Sequence, residues 1–358
     1  MNRRHLALQI LITGSAIVLA HAAAAKSAYT PGRTAWGDPD LQGTWPIDRI
    51  ADAGIPLERP EPFGDRLLLN DQEFAARLAA ARKSDAGVTR DVVEQGTSGL
   101  AEWLQSTPFA RRSSLLVAPA NGRVPPLTPQ AEVLYRAGRT SWKPGQPIDW
   151  VTDLDSYDRC VSRGFPTSML PFPYNGGIRL FQSPGFVVLQ LEVLGTRIIP
   201  VGHGEQWPQA VRGWLGQSRG RWEGDTLVIE TTNLVAGDSA ANDVAKRAAP
   251  PLQGRKSITI PVSEQASAVE RLTMTGPNTI AYRVTYTDPE VFTAPLTIEL
   301  EWTRNAGYRL YEFACHEGNQ QVRNMIAASR AQRKSGQAVA AAARPEDGLG
   351  NWPVPARP

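Results

Sequence analysis

The run Phe313-Ala314-Cys315-His316-Glu317-Gly318-Asn319 puts a thiol, an imidazole and a carboxylate side by side. Histidine is the usual proton-transfer group near neutral pH, so His316 or Glu317 is a candidate general base. Arg159 and Arg163, in Arg159-Cys160-Val161-Ser162-Arg163-Gly164-Phe165-Pro166, could steady an oxyanion as it develops. Glu192 stands on an otherwise apolar strand and must reach Arg197, another partner or water, because an unpaired buried carboxylate is costly. Together these five residues, His316, Glu317, Arg159, Arg163 and Glu192, suit a lyase, isomerase or hydrolase that works by acid/base chemistry without a cofactor. A second polar and aromatic set could line a ligand site: Asp158, Tyr174, Arg197, His203, Trp214, Trp222 and Glu230. The same charges also read as loop-securing ion pairs, Glu192 with Arg197 and Asp158 with Arg163. A small-ligand binding or carrier protein without turnover is therefore the competing class.

Other chemistries lack their signatures. There is no His-x-x-x-His, Cys-x-x-Cys or EF-hand spacing, no Walker loop and no dinucleotide fingerprint, so neither metal nor cofactor is expected. Gly216-Gln217-Ser218-Arg219-Gly220 matches Gly-x-Ser-x-Gly by its letters. A nucleophile elbow requires a helix after the serine, however, and a β-hairpin pattern follows here. The formal net charge of +3 over 358 residues, with no basic-aromatic stripe, makes nucleic acid a poor partner. A small hydrophobic or aromatic molecule suits the ten tryptophans better. Oligomeric state is not legible.

Compartment follows from the N-terminus. Arg3-Arg4, the apolar stretch Leu6–Leu19 and the small residues around Ala20-His21-Ala22 make a secretory signal, with residues 1–25 set apart from the fold. The stretch is too short, and too soon followed by Lys26, to serve as a membrane span. A periplasmic or secreted protein is expected, with no integral span after processing. Two cysteines in an oxidising compartment suggest a Cys160–Cys315 disulfide. It would close a loop of about 155 residues and be worth on the order of 4–5 kcal/mol in the chain-entropy model. The alternative is a free nucleophilic thiol beside His316, although neighbours on a strand point to opposite faces.

These side chains must be positioned by strands. In Arg221-Trp222-Glu223-Gly224-Asp225-Thr226, glycine at a tight reversal predicts a hairpin, after which Thr226–Thr232 alternates. Leu180–Gln182, Phe186–Leu194, Arg197–Pro200, Ile258–Val262, Val269–Thr275, Ile280–Asp288, Leu296–Arg304 and Tyr308–Cys315 read as further strands joined by turn residues. Asn70 with Glu73 forms a capping-box pattern at the head of a helix through Lys83. Thr128-Pro129 opens another, and Gln320–Arg333 is a third. Residues 26–157 read as an N-terminal strand with helical and coil wrapping, 158–333 as the β domain with its C-terminal helix, and 334–358 as a tail.

Several of these segments, read jointly, resemble a large uncharacterised family of exported bacterial proteins. They are Gly220-Arg221-Trp222-Glu223-Gly224-Asp225-Thr226-Leu227-Val228 with its following Glu-Thr-Thr-Asn, the Arg159–Pro166 run, Pro184-Gly185 through Glu192, Arg197–Pro200, and Ala314-Cys315-His316-Glu317-Gly318-Asn319. The resemblance implies export and a β-rich fold, and carries no activity. A more distant likeness, through Gly43-Thr44-Trp45 and the run of strands, is to lipocalin-type barrels. The expected fold is thus mainly β: an antiparallel meander closing into a lipocalin-like barrel, which would remove exposed edges, with helices at its N- and C-terminal sides.

Overall fold

Period-two alternation sets the ten strands around which the fold is built. The computed structural model describes residues 29–48, 55–80, 82–83, 110–137, 146–171, 175–236 and 262–336. The expected signal segment, Tyr174, the expected strand at 258–262 apart from Val262, and the tail beyond 336 lie outside them.

The strands in order are β1 (Gly43–Pro46), β2 (Leu116–Ala118), β3 (Gly177–Ser183), β4 (Phe186–Leu191), β5 (Gly195–Pro200), β6 (Gln217–Glu223), β7 (Thr226–Thr232), β8 (Ser267–Gly276), β9 (Thr279–Thr287) and β10 (Leu296–Thr303). Helix α1 covers residues 71–80, α2 is Pro129–Ala137 and α3 is Gln320–Lys334. Both N-terminal helix starts follow their cap residues. The Asn70 backbone N–H donates to Glu73 Oε2 while the Glu73 N–H donates to Asn70 Oδ1, each at 2.9 Å. Ala131 N–H donates to Thr128 Oγ1 at 3.1 Å.

The strands do not run as one meander; they divide into two antiparallel sheets. The first has the order β1-β3-β4-β5 and the second β2-β10-β9-β8-β7-β6. Gly224 and Asp225 turn β6 into β7 with Glu223 opposite Thr226, and Gly224 takes φ 62°, as the turn requires. The inward faces meet in a shared core: Trp45, Ile178, Leu180, Leu189 and Ile199 from the first sheet, Leu227, Leu272, Tyr282, Ile298 and Trp302 from the second. The sheets also touch at their margins. Val201, just past β5, bridges Gly220 of β6, and Gly202 N–H donates to the Gly220 carbonyl at 2.9 Å. At the other margin Asn305 N–H, just past β10, donates to the Thr44 carbonyl of β1 at 3.0 Å.

Tyr308–Cys315, read from sequence as a strand, is not one. The Tyr311 backbone N–H donates to Glu192 Oε1 at 3.1 Å rather than to a neighbouring strand. Cys315 is bonded to Cys160, with Cα atoms 5.6 Å apart, which draws the segment away from the sheet. That bond also settles the state of the thiols: no free cysteine remains. No helix among the described residues is long and apolar enough to cross a membrane.

Candidate functional site

Between the two sheets lies a buried polar cluster. Arg197 of β5 alternates with the outward Ile198, so its guanidinium points into the core, where it is 3% exposed. Glu270, on the inward period Ala268-Glu270-Leu272-Met274 of β8, is fully buried. The pair is bidentate: Nη1 donates to Oε1 at 2.9 Å and Nη2 to Oε2 at 2.5 Å. Nη2 also donates to Ser218 Oγ at 2.9 Å and Thr231 Oγ1 at 3.0 Å, and Tyr282 Oη donates to Glu270 Oε1 at 2.8 Å. The Arg197 guanidinium carbon lies 4.7 Å from the centre of the Phe165 ring. Tyr282 in turn stacks on Trp302 at 4.6 Å and 19°.

Electrostatics reinforce this closure. Burial works to deprotonate Arg197, but the charge and hydrogen bonds of Glu270 outweigh it, and the guanidinium is held above its ordinary value. Burial first, and then the Glu270 carboxylate, push the Tyr282 phenol well above its own. Tyr282 therefore stays a neutral donor, and the cluster carries one positive and one negative charge. Arg197 Nε–H and Trp302 Nε1–H, at the cluster, are buried without a hydrogen-bond partner among the described residues. So are Trp222 Nε1–H, packed against the same core from β6, and Arg304 Nε–H, over the Trp45 ring.

The remaining candidates are dispersed. His316 and Glu317 are exposed on the turn after the disulfide, and His203 is exposed with its ring edge-on to Phe186 at 5.0 Å. Arg159 is half-buried, its Nε donating to the Leu154 carbonyl at 3.1 Å. Arg163 is buried, with Nη1 donating to the Leu170 carbonyl at 3.3 Å. The Asp158 carbonyl accepts from Asn319 Nδ2 at 3.0 Å. Trp214 is half-buried beside β6, and Glu230 lies on the outward face of β7, paired with Arg221.

Glu192 does not pair with Arg197. Its carboxylate accepts from Gly177 N–H at 3.0 Å, Tyr308 Oη at 2.7 Å, Tyr311 N–H at 3.1 Å and Asn175 Nδ2 at 3.3 Å. Four donors occupy an acceptor-only group, so Glu192 clamps the C-terminal segment to β3 and β4.

Sequence reasoning missed Glu270, Thr231, Tyr282 and Trp302 as site residues, and weighed Ser218 only as the serine of a nucleophile elbow. The signal for Glu270 was there: a carboxylate at an inward position of an alternating strand needs a partner, the argument that singled out Glu192. Among the described residues no group of three His, Cys, Asp or Glu side chains is placed to hold a metal ion. The molecule is a mainly β protein of two facing antiparallel sheets, cross-linked by one disulfide. No family model, curated protein or solved structure matches the chain.

Proposed function

We propose that this is an exported carrier that binds a small hydrophobic or aromatic molecule in the space between its sheets, without turnover. The observation that carries this reading is the pair of buried N–H donors, Arg197 Nε and Trp302 Nε1, left without partners inside an aromatic-rich core. Each unpaired buried donor costs about 1–3 kcal/mol, and a ligand acceptor would remove that cost. Acid/base turnover at His316 or Glu317 has weaker support, because both side chains are exposed and neither adjoins the cluster. In that reading, alanine at His316 and Glu317 abolishes turnover and spares affinity.

The sheets are best understood as two halves of one lipocalin-like wall. The Val201–Gly220 bridge and the Asn305–Thr44 hydrogen bond at the two margins support that closure. The N-terminal signal pattern and the disulfide support a periplasmic or secreted location, and the family resemblance agrees. The test is calorimetric titration of the protein with coumarin, a neutral aromatic lactone, alongside the Trp302→Phe variant. Saturable one-to-one binding, weakened about five- to tenfold by loss of the indole donor, is expected. Absence of binding, or equal affinity in the variant, would remove the reading.

A further inference from the structure

We infer that residues 154–171 form a plug, and that the Phe165 ring fills the seat that a planar aromatic group of the ligand takes. This rests on the interior binding proposed above. Phe165 comes from neither sheet, yet it is 2% exposed, belongs to the shared core and covers the Arg197 guanidinium. The segment that carries it closes on itself. Val161 N–H donates to the Ser156 carbonyl at 2.8 Å, and Ser156 Oγ to the Ser162 carbonyl at 2.8 Å. Gly164 N–H donates to Ser162 Oγ at 2.9 Å, and Ser168 donates to the Gly164 carbonyl through both N–H and Oγ. Met169 and Leu170 N–H close short turns onto Pro166 and Thr167. Met169 and Leu170 of the same segment stay seated in the shared core, so the exchange is of the Phe165 ring alone. The segment's anchors on the C-terminal segment lie near one end: the Cys160–Cys315 bond and the Asn319 hydrogen bond to the Asp158 carbonyl.

The exchange selects the ligand. Replacing one ring over the guanidinium by another is close to neutral in apolar area and in cation–π attraction. The gain must come from what Phe165 lacks, an acceptor for a buried N–H. Because Arg197 and Glu270 already neutralise each other, an ionised ligand would bring an uncompensated charge into the core. The class is therefore a neutral planar aromatic with an acceptor substituent.

Coumarin binding by wild type, Phe165→Ala and Phe292→Ala tests this. Phe292 is also buried, but it packs on Tyr286, and its removal opens a hole without Arg197 beneath it. Phe165→Ala should bind at least tenfold tighter than wild type, and Phe292→Ala should match wild type. Equal gains in both variants would reduce the effect to any hole in a core, and no gain in Phe165→Ala would also overturn the proposal. If Phe165→Ala does not fold, Phe165→Leu should bind at least threefold tighter, under the same criteria. Binding by wild type that depends on Trp302, with no gain in Phe165→Ala, overturns the plug alone. Binding by none of the proteins overturns the plug and the carrier together.

Discussion

The Arg197–Glu270 pair is the most consequential contact at residue scale. Two desolvated charges are tolerable because the bidentate geometry, two hydroxyls and a phenol share the load. Removing one partner leaves the other buried and alone, so Glu270→Leu or Arg197→Met should lower unfolding stability by about 3–5 kcal/mol. The double variant Arg197→Met/Glu270→Leu should recover most of that loss, since replacing a buried pair by apolar side chains is often neutral. Urea unfolding of the three variants measures the coupling; additive losses would mean that the charges do not act as a unit. The cluster was only half legible in the sequence. Arg197 stood out as a charged residue among apolar strands, but was matched to the nearest acidic residue in sequence, Glu192. Pairing across two sheets is set by which strands face each other, and local alternation does not encode that.

Elements were more legible than contacts, because their signals are local. Asn70 and Glu73 form the reciprocal cap that their spacing implies, and Arg66 adds a two-pronged ion pair to Glu73. The Arg66 hydrogen bonds, and then the Asn70 amide, hold the Glu73 carboxyl down at about 2, against an ordinary 4.5. A depressed folded-state value means that the carboxylate's contribution is complete above about pH 4.5 and is lost as pH falls toward 2. Helix α1 should therefore fray locally over that window while the sheets persist, which NMR shifts of residues 71–80 would report. Titration of Glu73 at its ordinary value would refute it. The β6–β7 turn was equally legible: Gly224 needs positive φ, and nothing lies within 4 Å of where a Cβ would stand. Gly224→Ala thus isolates backbone strain and should cost about 1–2 kcal/mol by urea unfolding. A neutral substitution would show that the turn relaxes. Tyr308–Cys315 shows the limit of local reading. It has the texture of a strand, yet its conformation is dictated by Glu192 and by a covalent bond to residue 160, both distant in sequence.

At the scale of the whole molecule, the C-terminal segment acts as a strap. It leaves β10, is clamped at Tyr308 and Tyr311 by Glu192, bonds covalently to Cys160, and continues into α3. There Ser329 Oγ accepts from Ile148 N–H at 2.9 Å and Arg333 pairs with Asp149. The strap thereby joins the loop region 146–171 to the first sheet, and the disulfide is its one covalent link. Because the bridged residues are 155 apart, the bond removes a large share of the unfolded chain's freedom, on the order of 4–5 kcal/mol in the entropic model. Cys160→Ser/Cys315→Ser should lose up to that amount in urea. If the bond acts through the unfolded ensemble, the double variant should also expose more surface on unfolding, which raises the dependence on denaturant. A loss of stability with an unchanged denaturant slope would place the effect in the native strap instead. In that case hydrogen exchange should quicken in residues 154–171 and α3 while β7, β8 and β9 keep their protection. The two outcomes separate a brace on the unfolded chain from a brace on the loop that seats Phe165.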